Sequence, residues 1–171
     1  MKQLATIIVI SWAAALTMAA SAQITKPRIV WSNLRERYED LGDIKPRIEL
    51  RNAKSVIWRM LDQDNCLWRY DETEKRWIEG NYLVDDVGPE YRQSIILEQN
   101  KPMDLFFHSE QFFERDKKRG YFFQSAPEYG NKSYPANGKY KILFYYGTNP
   151  LKPNVLDSVA ESPTFLISGK Y

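Results

Sequence analysis

Cysteine and histidine are almost missing from this chain: 171 residues hold one of each, Cys66 and His108. A single cysteine excludes an intramolecular disulfide, so packing rather than cross-linking must hold the fold. One cysteine and one histidine cannot furnish a zinc site without several carboxylates. A serine-type hydrolase needs a nucleophile, a histidine base and an orienting acid, and His108 is the only base on offer. It alternates out of phase with Leu105 and Phe107 at the end of an expected strand, and a base alone is not a site. An excess of charge is lacking too. Lys and Arg number 24 against 22 Asp and Glu, so bulk charge draws the chain toward neither nucleic acid nor an anionic membrane. Neither catalysis nor a cofactor is expected.

Long apolar runs are missing except at the start. Lys2 precedes a stretch, residues 4–20, interrupted only by Thr6, Ser11 and Thr17. Ala20-Ser21-Ala22 then has the small-x-small form that a signal peptidase accepts, which predicts cleavage before Gln23 and export to a secreted or periplasmic location. The run falls short of the ~20 apolar residues a spanning helix requires. No integral membrane segment is therefore expected after cleavage, and no cysteine near the cleavage point offers a lipid anchor. The chain is expected to divide into a signal peptide (1–22), an N-terminal extension (23–46) and one β domain (47–171), and the residues left after cleavage, 23–171, can bury roughly two-thirds of their unfolded surface.

From Arg47 onward the pattern has period two, with short apolar runs set between Asn, Gly, Pro and charged clusters, which is strand chemistry. Ile48 and Leu50 alternate with charged neighbours, and residues 52–55 offer a turn into 56–61, giving a first hairpin. Residues 66–70 and 76–79, joined by the polar Asp71-Glu72-Thr73-Glu74-Lys75, form a second. Further strands are expected at 92–99, at 103–107 beyond the Pro102 interruption, near 121–124, at 139–146 and at 164–168. In 139–146, Tyr140, Ile142, Phe144 and Tyr146 fall on one face. Ahead of Arg47 the spacing differs. Leu34, Tyr38 and Leu41 stand at i, i+4 and i+7, with Ser32 or Asn33 to cap and Gly42 to terminate, which predicts a short helix over 33–41.

Asn137-Gly138-Lys139-Tyr140-Lys141-Ile142 resembles the penultimate strand of immunoglobulin-like and fibronectin type III-like β-sandwiches, where a glycine precedes a tyrosine by two residues. The resemblance implies an all-β, two-sheet antiparallel sandwich in which the Tyr140 hydroxyl bonds back to nearby backbone. Antibody-type paired cysteines are absent, and Trp58 has no disulfide to pack against, so the likeness is to cysteine-free sandwiches of the bacterial envelope. Sandwiches host many unrelated activities, and no functional residue is carried over.

Other motifs fail on inspection. Asp85-Asp86, Asp62 with Asp64, and Glu72 with Glu74 provide paired carboxylates, but glycoside hydrolysis also needs a sugar-sized cleft that a small tight-looped sandwich does not offer. Asp62-Gln63-Asp64-Asn65 starts like a calcium loop, yet Leu67 stands at its sixth position and Thr73 at its twelfth. Lys117-Lys118-Arg119 is flanked by Glu114 and Asp116 and reads as a solvated turn. Asn131-Lys132-Ser133 matches a glycosylation acceptor, a triplet common by chance.

Aromatic residues exceed expectation at 14 % of the chain. Trp68, Tyr70 and Trp77 sit on the second hairpin as candidate ligand-binding residues, since aromatics on a solvent face make a surface for a sugar ring or a protein partner. Cross-strand packing within the core is the commoner fate of such residues. The functional expectation is a non-catalytic exported module that binds another envelope component, protein or glycan. The alternatives are a carbohydrate-binding module and a small secreted hydrolase.

Overall fold

A computed structural model describes residues 26–59, 65–80, 94–105, 113–116, 118, 120–149, 151–152 and 155–169. These residues are mostly β, arranged in several sheets whose pairings are antiparallel with one exception. β2 (Arg37–Tyr38), β5 (Asn65–Asp71), β6 (Arg76–Glu79), β12 (Gly138–Tyr146) and β14 (Phe165–Ile167) lie in the order β2-β14-β12-β5-β6, with β13 (Ser158–Glu161) also on β12. β1 (Arg28–Ser32), β3 (Arg47–Arg51) and β8 (Met103–Asp104) form a second sheet. β4 (Ser55–Arg59) pairs with β7 (Ser94–Glu98), and β10 (Gly120–Gln124) lies between β9 (Phe113–Asp116) and β11 (Ser133–Pro135).

The nine residues of β12 organise this arrangement because their alternation is nearly complete. Tyr140, Ile142 and Phe144 are fully buried and Tyr146 almost so. Tyr140 and Ile142 enter a cluster with Tyr38, Leu67, Ile78, Phe113, Phe123 and Phe165. Phe144 and Tyr146 enter another with Ile29, Ile48, Leu50, Val56 and Leu97. One strand thus serves both halves of the core, and each large side chain buried there contributes about 1.5–3 kcal/mol. The ring of Tyr140 stacks on Phe165 at 6.2 Å and meets the edge of Phe123 at 5.7 Å. Its hydroxyl donates to the Ala136 carbonyl, four residues upstream, at 2.7 Å.

The hairpin of β5 and β6 forms as its loop chemistry predicts, pairing Trp68 with Glu79, Arg69 with Ile78 and Tyr70 with Trp77. The Asp71 carboxylate accepts the Thr73 and Glu74 N–H groups at 2.8 and 3.2 Å, and Lys75 takes a left-handed φ of 53° to close the turn. The strands expected near 121–124, 139–146 and 164–168 are present as β10, β12 and β14.

Two local expectations are overturned. Residues 33–41 form no helix: Asn33 is left-handed (φ 57°) and donates from Nδ2 to the Lys45 carbonyl at 2.7 Å. Arg37 and Tyr38 then run parallel to β14, with the Leu166 N–H donating to Glu36 O and the Ser168 N–H to Tyr38 O, each at 2.9 Å. Those carbonyls would have been needed inside a helix. Leu34, Tyr38 and Leu41 still reach the core, but along extended chain and a 3-10 turn at Leu41–Asp43, whose Gly42 N–H is held by the Asp40 carboxylate. The first expected hairpin, 47–51 with 56–61, is also absent as a pairing. β3 pairs with β1 and β8, whereas β4 pairs with β7. Asn52, left-handed at φ 61°, separates the two strands.

Candidate functional site

Alternation along β5 sends Leu67 into the core and Trp68 and Tyr70 to the opposite, outer face, where all three hairpin aromatics are half-buried. Tyr70 and Trp77 are cross-strand neighbours with ring centroids 5.3 Å apart at 65°, an edge-to-face contact of the favourable kind. Trp68 meets Tyr129 edge-on at 6.3 Å, and Arg76 covers the Tyr129 ring at 5.3 Å. The Trp68 Nε1 is buried and has no hydrogen-bond partner among the described residues.

The register of β12 against β5 brings two lysines over these rings. Lys141 Nζ stands 4.5 Å from the Trp77 centroid and pairs with Glu161 at 3.0 Å. Lys139 Nζ, on an exposed residue, stands 5.6 Å from Tyr70 and 5.9 Å from Trp77. Each amine lies where the ring quadrupole attracts a cation. The strip is therefore an alternation of amines and inclined rings rather than one flat aromatic plane.

Sequence reasoning missed a second feature, an open cleft of about 340 Å³ on the core side of the same hairpin, lined by Arg69, Asp71, Thr73, Glu74, Lys132 and Tyr134. Burial pushes the Asp71 carboxyl up, but the Glu74 and Thr73 N–H groups, the Tyr134 hydroxyl and the Arg69 charge together hold it below the ordinary aspartate value. Glu74 is held low by Lys132 and Arg76, and Lys132 is held high by Glu74, 2.9 Å away. Burial, with Asp71 beside it, pushes the Tyr134 phenol up. Arg69 lies 5.1 Å over the Tyr134 ring and donates to the Tyr70 and Asn137 carbonyls at 3.1 Å each. Every shift strengthens the form already present at neutral pH, which suits an ionic tie between the hairpin and Lys132, just ahead of β11, rather than proton transfer. In the sequence the polar run after Asp71 signals only a hairpin loop, because the contact with Lys132 and Tyr134 depends on pairing between distant segments.

Among the described residues, no group of three or more His, Cys, Asp and Glu stands close enough to hold a metal ion, and no helix is long and apolar enough to cross a membrane. His108, Asp62, Asp64, Asp85, Asp86 and the 1–22 segment lie outside the described residues, as do the side chains of Trp58 and Cys66. Compared with known proteins, the chain matches no family model, no curated protein and no solved structure at a significant level.

Proposed function

We propose that this chain is an exported, non-catalytic β-sandwich of immunoglobulin-like type that binds a protein of the cell envelope through the outer face of its six-stranded sheet. The bond from the Tyr140 hydroxyl to the Ala136 carbonyl supports the fold assignment, since the tyrosine at this corner of such sandwiches bonds to backbone a few residues upstream. The observation that carries the functional reading is the half-buried Tyr70–Trp77 pair on the outer face, with Lys139 and Lys141 over its rings. Tyrosine and tryptophan are what protein interfaces favour at their centres, with polar and charged side chains such as these lysines at the rim. A glycan partner is favoured less. Stacking on a sugar requires an open ring face, and here the two rings are inclined by 65° with an amine 4.5 Å from the centroid of Trp77.

The test is affinity enrichment from an envelope extract on immobilised wild-type protein and on Lys139→Glu and Trp77→Ala variants with unchanged unfolding midpoints. A protein retained by the wild type and lost from both variants is expected. Equal retention on all three overturns the reading. Retention of polysaccharide that disappears in Trp77→Ala replaces it with the glycan alternative.

A further inference from the structure

The pairings place five outer-face residues in one row across the sheet. Arg37 on β2 is opposite Leu166 on β14, and Leu166 is opposite Lys139 on β12. The β12–β5 register, extended by one residue, puts Lys139 beside Tyr70, which in turn is opposite Trp77 on β6. Their core-facing neighbours are buried: Tyr38 after Arg37, Phe165 and Ile167 on either side of Leu166, and Tyr140 after Lys139. All five side chains consequently emerge on the same side.

Two properties of this row describe what fits it. The first is charge. Lys141 is answered by Glu161, but neither Arg37 nor Lys139 has a carboxylate within ion-pair distance among the described residues. Arg37 and Lys139 flank Leu166, which is 40 % exposed. The order along the row is cation, apolar, cation, aromatic, aromatic. The second property is spacing. Neighbouring strands are ~4.8 Å apart, so the backbone positions of Arg37 and Lys139 lie about 10 Å apart along the row and its whole length is about 19 Å. An α-helix rises 1.5 Å per residue, and its residues i, i+3 or i+4, i+7, i+10 or i+11 and i+14 form one stripe with steps of about 5 Å. A helix laid across the strands matches the row step for step. An extended chain, repeating about every 6.8 Å on one side, falls out of register after two steps.

From this row we infer that the partner segment is an amphipathic helix carrying acidic residues at i and i+7 around an apolar i+3 or i+4, with apolar residues at i+10 or i+11 and i+14. This inference rests on the proposed protein-binding role of the outer face and adds the chemistry of its occupant. The charges set register and orientation, while the Leu166, Tyr70 and Trp77 surfaces supply apolar contact.

The inference is tested by selecting a displayed library of random 18-residue peptides on the wild-type protein and measuring the recovered peptides against an Arg37→Glu/Lys139→Glu variant and against Trp77→Ala. Both substituted cations are exposed. Expected are peptides with acids seven residues apart, bound at least tenfold more weakly by the charge-reversed protein and increasingly weakly as salt rises. Recovered peptides without acidic residues, bound equally by the charge-reversed protein but lost in Trp77→Ala, overturn the helix chemistry and leave the binding face intact. Peptides indifferent to all three substitutions overturn both. A parallel titration with polygalacturonate that saturates, and that Arg37→Glu/Lys139→Glu abolishes, assigns the row to an anionic polysaccharide and overturns the inference.

Discussion

Replacing Tyr140 by phenylalanine removes one oxygen from the centre of the molecule and leaves the ring contacts in place. Tyr140 is fully buried, its hydroxyl is 2.7 Å from the Ala136 carbonyl, and Ala136 itself is 1 % exposed. A typical net hydrogen bond is worth about 0.5–1.5 kcal/mol, and a buried group left unsatisfied costs about 1–3 kcal/mol. The Ala136 carbonyl loses its hydroxyl donor in a place water does not readily reach, so the loss should be about 1–2 kcal/mol. The ring stays packed against Phe113, Phe123 and Phe165, which keeps a cavity term out of the sum. The assay is urea unfolding followed by tryptophan fluorescence. The midpoint should fall while the slope stays constant, because the surface exposed on unfolding is unchanged. Thermal unfolding should shift down by about 2–4 °C per kcal/mol for a chain of this size. An unchanged midpoint would mean that the hydroxyl bond adds nothing, and the corner would lose its standing as a determinant of the fold.

Phe144→Ala should cost about 3–5 kcal/mol, since it empties a fully buried aromatic site against Trp31 and Tyr146; a loss below about 1 kcal/mol in the same urea assay would contradict the shared-core role of β12. Gly147→Ala places a methyl group against the Val155 carbonyl oxygen, a backbone atom that must move, and should lower stability by roughly 1–3 kcal/mol; a wild-type midpoint would refute that close approach. Asp71 is depressed below its ordinary value of 3.8 when folded. Its contribution is therefore present above about pH 4 and lost as pH falls through the folded value. Asp71→Asn should be less stable than wild type at pH 7, with the gap closing as pH falls below about 4; a gap independent of pH would show that the carboxylate charge plays no part.

Period-two patterning found β3 to β8, β10, β12 and β14, because burial on one face is written locally, and missed β1, β2, β9, β11 and β13. Tyr140, Ile142, Phe144 and Tyr146 declare β12 whatever lies beside it, and Asp71 to Lys75 declare a hairpin loop. Partner choice is not local. The 33–41 segment has helical spacing, yet it pairs with β14, more than a hundred residues away, and nothing within a short window reveals that competition. β3 shows the same: its alternation was plain, while its neighbours β1 and β8 were not. The aromatic strip was legible as Trp68, Tyr70 and Trp77, because alternation within one hairpin puts them on a common side. Lys139, Lys141 and Arg37 were not, since only the register between distant strands brings them there.

The parallel contact of β2 with β14 has a consequence for the life of the molecule. Arg37 and Tyr38 are completed by residues made more than a hundred positions later, and the Tyr146 hydroxyl likewise donates to the Pro27 carbonyl across 119 positions. Such distant closures are slow to form. A nascent chain still lacking Phe165–Ile167 has an open seam beside β12 and no seat for Tyr38, so native assembly waits until those residues have been made. Removing only β14 should release β2 as well, and the earliest sign of that damage would be protease cutting around residue 37.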